Sequence, residues 1–388
     1  MADVVIVGGG ISGVAAAYEL ALMKVNVTLV ERFDLASMAS GWTLAGVRQS
    51  GRHPTELPLA KEAVSAWKNL NQELDATVEY VQKGNLRLAY NEQEASRLAV
   101  MVKDQIALGL DVQLLSENCA IREIAPVVSE SVLAASFCPT DGHANPKLTV
   151  QALAQAAIRA GATFRIGECV RAVITDKSKV RGVKTDQCTI SAEQVVLAAG
   201  MHTQNLLTPL GLSLPITPQV VTVVRSKPTK PLLSQVLGTA TATFAGRQEA
   251  SGRFRVTGGI HKWRDSLEIN NNNMPLVKPL LGDVAGVIQR ATQAIPLFGT
   301  MAIEDMWAGL IDMTPDGLPV IEASPEIDGL VIAAGFSGPG FGLGPVTGRI
   351  IRDLILNKSS NLPLKPFALA RLDGLKGADI AEFARLAR

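Results

Sequence analysis

Near its N-terminus the chain turns from strand into helix through Gly8-x-Gly10-x-x-Gly13. Val4 to Val7 reads as a short buried strand, Ile11 to Leu22 as an Ala-rich helix, and Val25 to Val30 as a second strand closed by Glu31. Each glycine has a physical task. The first permits the tight turn, the second lets backbone approach a pyrophosphate, and the third allows close helix–strand packing, while the helix N-terminus attracts the anion. Glu31 can accept hydrogen bonds from a ribose, which favours an adenosine without a 2′-phosphate. The pattern predicts dinucleotide binding and leaves NAD and FAD both open.

The same logic returns later. Leu59, Ala63, Ala66, Trp67, Leu70 and Leu74 recur at helical spacing, Gly84-Asn85 is a turn, and Leu86 to Tyr90 a strand. Asn91-x-x-Glu94 is a capping box for a helix to about Leu108. Leu148 to Ala160 is helical with Gly161 at its C-terminal turn, and short strands follow, ending at Val195–Gly200. Residues 215–308 alternate β-like runs, Val220 to Val224 and Phe254 to Gly258, with turns; the Asn270–Asn273 run reads as a solvated loop. The apolar run Leu330–Ala334 then leads through glycines into a helical stretch from Arg349 to Leu356, with Pro345 placed at the first helical turn. The predicted fold is α/β: a Rossmann-like dinucleotide-binding domain interleaved with an α+β substrate domain on a mostly antiparallel sheet. The first takes residues 1–80, 146–214 and 309–388, the last with a C-terminal tail; the second takes 81–145 and 215–308.

Composition narrows the function. With 388 residues and a net charge of +1, and no dense Lys/Arg cluster, nucleic acid is not an expected partner. No basic and apolar leader precedes the first strand, and no run of about 18 apolar residues occurs, so neither a signal peptide nor a transmembrane segment is expected. The four cysteines, Cys119, Cys138, Cys169 and Cys188, show no C-x-x-C, so no metal site or iron–sulfur cluster is expected within the chain. A cytoplasmic protein is expected.

Four motifs in order, "VVIVGGGISGVAAAYEL…VTLVER", "DGHANPKLTVQALAQAAIRAGA", "VVLAAG" and "GLVIAAGFSGPGFGLGPVTG", resemble the FAD-dependent D-amino-acid oxidase superfamily over the whole chain. The nearer branch is that of β subunits of multi-subunit amine dehydrogenases: opine oxidase, hydroxyproline and proline dehydrogenases, hydrogen cyanide synthase and heterotetrameric sarcosine oxidase. The resemblance implies that Gly8, Gly10, Ile11, Ser12, Gly13, Glu31 and Arg32 hold the ADP half of FAD, that Val170 contacts the adenine side, and that Ala199 and Gly200 line the cofactor. It implies that Ser40, Gly46, Val47 and Arg48 cross toward the isoalloxazine ring, and that Gly335, Phe336, Ser337, Gly338, Gly340, Phe341, Gly342 and Leu343 close over it. On this view the far glycines let backbone amides reach a flavin that side chains would exclude.

Departures from relatives matter as much. Where monomeric sarcosine oxidases link flavin through cysteine this chain has Gly309, where heterotetrameric ones attach FMN to histidine it has Lys147 with His143 out of register, and where monomeric enzymes place a lysine it has Gly342. Non-covalent FAD follows, with FMN shared with a partner subunit as a further implication of the branch. The implied reaction takes two electrons from a C–N bond by hydride transfer to flavin N5, leaving an imine that water hydrolyses. Arg48 is the candidate to hold a charged group at the ring, because an arginine fork fixes a carboxylate. His261, in "GGIHKWRD", is a candidate to face the substrate cavity, with a satisfied surface histidine as the alternative; Lys262 and Arg264 are weaker candidates, and His53 and His202 have no assigned role. The leading reading is a catalytic FAD-bearing subunit acting on a small amine or amino acid, with a larger α-type subunit and a small Fe–S-bearing subunit or domain as partners. A self-sufficient oxidase of glycine, sarcosine or D-amino acids, and a non-catalytic flavin-binding scaffold, are the competing readings.

Overall fold

Strands that are apolar on both sides need cover on both faces, and helices supply it. In the computed structural model, which describes residues 2–375, Ala2–Val7 lies inside an eight-stranded sheet. The sheet runs Val320–Ala323, Leu330–Ala334, Thr189–Leu197, Ala2–Val7, Val27–Glu31, Thr163–Ile166, and Lys179–Thr185 and Val170–Asp176 extend it as a hairpin from Thr189–Leu197. The central pairs are parallel; only Val320–Ala323 pairs antiparallel on the main path. Helices Ile11–Leu22, Leu57–Leu74, Pro146–Arg159 and Gly340–Ile355 share one core with the Val4 and Ile6 face, while Val5 and Val7 pack into a second core on the opposite face.

The second sheet also has eight strands, in the order Ile303–Met313, Thr217–Ser226, Phe254–Lys262, Phe244–Gln248, Val236–Thr239, Asn85–Ala89, Ala134–Cys138, Gln113–Leu115. Its pairs are antiparallel except one: Val236–Thr239 lies parallel to Asn85–Leu88. That pair joins two segments distant in sequence into one sheet. Helix Leu281–Ala294 covers one face through Val287 and Ala291, which share a core with Leu86, Leu88, Phe254 and Val256. Strand Ile303–Met313 runs unbroken through the 308/309 position.

Local chemistry accounts for most element ends. Asn91 caps helix Glu92–Ala107 by accepting from the Glu94 N–H at 2.9 Å, and Glu94 reaches back to the Tyr90 N–H at 2.8 Å. Gly161, at φ +112°, ends Pro146–Arg159. The last helix departs from expectation. It begins at Gly340, so Pro345 lies inside it and not in its first turn. The proline removes one backbone donor, and close packing against Ile11–Leu22 carries the helix through the gap. The tail expected beyond residue 375 lies outside the described residues. Among the described residues no helix is long and apolar enough to cross a membrane.

Candidate active site

One cavity of about 650 Å³ runs from the Gly8–Gly13 turn to the uncovered face of the second sheet. At its first end Gly8 takes φ +115°, and a Cβ there would strike the Ala198 carbonyl. A Cβ on Gly13 would strike the Gly8 carbonyl, so this residue packs behind the turn and does not line the cavity. Gly10 is different: a Cβ would meet only Ser40 Oγ, at 3.1 Å. Ser40 Oγ also accepts from the Ile11 N–H at 3.0 Å, which ties the loop to the helix start. Glu31 accepts from the N–H groups of Gly9 at 2.6 Å and Phe33 at 2.8 Å, and burial pushes its carboxyl above the usual range. A carboxylate has about four acceptor sites, so capacity for a further donor remains. Arg32 sits 4.6 Å over the Phe33 ring. Val170, Ala199 and Gly200 line the same end, with Ser12, Arg32 and His202. Burial and Arg32 push the His202 imidazole down to about 4.

At the far turn the cavity is lined by Phe336, Ser337, Gly338, Gly340 and Phe341. Four residues expected to face a ring lie one layer behind. Val47 is fully buried and pairs with Gly142, and Leu343 belongs to the helix core. Gly335, at φ +71°, donates its N–H to Asp312 Oδ2 at 2.8 Å, and the Gly342 carbonyl accepts from Trp67 Nε1 at 2.7 Å. Gly309 does line the cavity, but a Cβ there would lie 2.8 Å from the Trp42 Cβ. Asp312 is buried, and burial outweighs the N–H groups of Gly335 and Phe336 to push its carboxyl up to about 6.

Between the two turns stands a buried charge cluster that the sequence reading reached only in part. Arg48 lines the cavity with Gly46, but its Nη1 donates to the carbonyls of Ser50 and Gly51. Asp141, fully buried, fixes that strap by accepting from the Gln49 and Ser50 N–H groups and the Ser50 hydroxyl. Arg52 donates to the Arg48 carbonyl at 3.1 Å and lies 3.7 Å from Glu56. Arg87, from strand Asn85–Ala89, also reaches the cavity. Burial lowers the pKa of all three arginines, Asp141 opposes this, and Arg52 adds repulsion at Arg48 and Arg87. Arg87 was missed because "NLRLA" reads as an ordinary strand with a solvent-facing arginine, and no local spacing ties Arg52 or Asp141 to it.

His261 is a correction. Strict alternation from Thr257 would turn it toward the cavity. A bulge intervenes: Thr222 pairs with Gly258 and Val221 with Ile260, leaving Gly259 unpaired at φ +67°. The phase flips, so Thr257 and Ile260 line the cavity while His261 turns to helix Leu281–Ala294, with Nδ1 3.3 Å from Asp283 Oδ2. Lys262 and Arg264 are exposed and do not line the cavity. His143 is buried against Arg247 at 3.2 Å, and Lys147 is exposed. His53 lines the cavity with its Nδ1 accepting from the Thr55 N–H. Among the described residues no group of three or more His, Cys, Asp or Glu could hold a metal ion.

A family model described as "DAO: FAD dependent oxidoreductase" matches residues 3–354, and the chain belongs to that family. It is 29% identical over 387 residues to the glycine oxidase of Geobacillus kaustophilus, covering 97% of this chain and 99% of that protein. It is 28% identical to a sarcosine oxidase subunit beta of an Arthrobacter species, covering 96% and 91%. Among solved structures, L-proline dehydrogenase from P. horikoshii superposes with a TM-score of 0.88 at 26% identity, covering 97% of this chain and 98% of that one. These relatives include both subunit-type and free-standing enzymes. The chain is an FAD-dependent oxidoreductase acting on amino acids or amines.

Proposed function

We propose that this member of the FAD-dependent DAO family is the catalytic, β-type subunit of a multi-subunit amine or amino-acid dehydrogenase. The carrying observation is the single cavity, which joins a dinucleotide turn at Gly8–Gly13 to an arginine-bearing face of the second sheet. The residues fit the cofactor. Gly10 leaves its side-chain space open at a helix N-terminus, Glu31 keeps free lone pairs beside it, and the cavity continues unbroken to the start of the last helix. Gly8, Gly10, Ile11, Ser12 and Glu31 would hold the pyrophosphate and ribose end, with Arg32, Val170, Ala199 and Gly200 around the adenine. Ser40, Gly46, Arg48, Phe336, Ser337, Gly338, Gly340 and Phe341 would border the ring.

Bound FAD supplies the two-electron acceptor for the substrate's C–N bond. The chain's own residues bind, orient and exclude water. Val221, Val223, Val236 and Ile260 give the substrate end an apolar wall, and Arg48 places positive charge where the two halves of the cavity meet. Non-covalent binding is part of the proposal, supported by Gly309 with Trp42 packed against it. So is the division of the chain into five interleaved segments, as are a cytoplasmic location, a larger partner, a small Fe–S protein and FMN at the subunit boundary. The similarity to glycine oxidase favours a second reading, a self-sufficient oxidase.

The two are separated by reducing the purified chain anaerobically with an amine and then admitting air. Slow reoxidation that partner subunits accelerate supports the dehydrogenase. Rapid multiple turnovers with stoichiometric peroxide from the isolated chain would establish the oxidase instead.

A further inference from the structure

We infer that Arg87 anchors the substrate's carboxylate and selects amines that carry one beside an apolar side chain. The inference rests on the amine-oxidoreductase reading above and names the residue that sets its specificity.

Arg87 lies between Leu86 and Leu88, whose side chains enter the core under helix Leu281–Ala294, so alternation sends the arginine to the opposite face and into the cavity. It is 9% exposed, yet among the described residues its guanidinium has no hydrogen-bond or ion-pair partner. The neighbouring carboxylates are engaged. Asp141 is held by the Gln49–Ser50 strap, and Glu56 pairs with Arg52. Arg48 is held by the Ser50 and Gly51 carbonyls and Arg52 by Glu56, which leaves Arg87, among the described residues, as the guanidinium of the three without a partner. A buried unpaired charge is costly, and an arginine fork meets a carboxylate through two parallel hydrogen bonds.

A second feature makes room for this side chain. Gly51 has φ +59°, and the space of its missing Cβ is filled by the Arg87 guanidinium. Any larger residue at Gly51 would displace the arginine's end. Val236, on the same strand as Gly238, which pairs with Arg87, lines the cavity, as do Val221 and Val223 further along the same sheet, so the matching ligand carries one carboxylate and an apolar body. The other anion of the loaded protein, the FAD pyrophosphate, has its own place at Gly8–Gly13 on the other sheet.

The test uses the FAD-loaded protein and two probes of one shape, benzoate and benzamide, followed through the visible spectrum of the flavin. Benzoate should perturb the spectrum at concentrations where benzamide does not. Arg87→Gln should weaken benzoate by roughly 10- to 100-fold, the range for losing a hydrogen-bonded charged partner, with FAD content unchanged. Arg87→Lys, which keeps charge and loses the fork, and Gly51→Ala, which displaces the group without removing it, should weaken it by smaller factors and serve if the glutamine variant fails to fold. Wild-type benzoate affinity in these variants, or equal binding of both probes by the wild type, would overturn the inference. Failure of the underlying reading is separable: benzoate binding would depend on Arg87 while no amine reduced the flavin.

Discussion

The two glycine-rich junctions look alike in sequence, yet glycine serves different ends in them. At Gly8–Gly13 it shapes the turn itself: Gly8 and Gly13 avoid collisions with the Ala198 and Gly8 carbonyls, and Gly10 is the cavity-lining glycine whose Cβ would meet only a hydroxyl. In the far junction the later glycines serve helix packing. A Cβ on Gly344 would enter the Ile11 side chain, and one on Gly348 would lie 2.7 Å from the Ala15 carbonyl carbon. Those residues bring Gly340–Ile355 against Ile11–Leu22, so helix packing and not room for a flavin accounts for Gly344 and Gly348. What the junctions share is a buried carboxylate that accepts a glycine N–H: Glu31 from Gly9, and Asp312 from Gly335. Glycine content alone therefore does not mark a ligand.

Three substitutions put this contrast at risk. The largest effect is expected from Gly348→Val, which forces side-chain atoms into helix backbone. Overpacking of this kind costs about 1–3 kcal/mol or more, so thermal unfolding should fall markedly and FAD content with it. A wild-type unfolding temperature would mean that the helices separate easily and that Gly348 is not a packing residue. Gly10→Val should do the reverse. Its side chain meets one hydroxyl and then the cavity, so the apoprotein should unfold near the wild-type temperature while FAD is lost. Retained flavin would remove Gly10 from the cofactor's path.

The smallest effect is a pH dependence at the far junction. Asp312 titrates near pH 6 when folded (about 6), above its ordinary 3.8. Between these values the folded state holds the proton more tightly, so the group's contribution to stability is greatest below about pH 4 and declines as pH rises to 6. Urea unfolding of wild type and Asp312→Asn at several pH values should give a difference that falls through this window and is flat above it. Parallel curves would show that Asp312 is not held in that state.

Local pattern made much of this legible. Helix Ile11–Leu22 and the Asn91 cap follow from spacing and side-chain chemistry that act within a few residues. The misses involve distant partners. Nothing near Asn85 announces that it will pair in parallel with Val236, so the two segments were expected in one mostly antiparallel sheet but the parallel pair that joins them was not. His261 was misplaced by the unpaired Gly259, and Pro345 by a helix that tertiary packing sustains. Arg87 was hidden because an arginine between two leucines is the pattern of a solvent-facing strand, and here the facing space is a cavity.

The central claim is that one FAD, held without a covalent bond, spans the cavity from Gly8 to Phe341. It is tested most directly by acid-precipitating the purified yellow chain and identifying the flavin that stays in solution. The account predicts FAD in the supernatant, one per chain, and a colourless pellet. Flavin retained on the pellet, or FMN released in place of FAD, would contradict it.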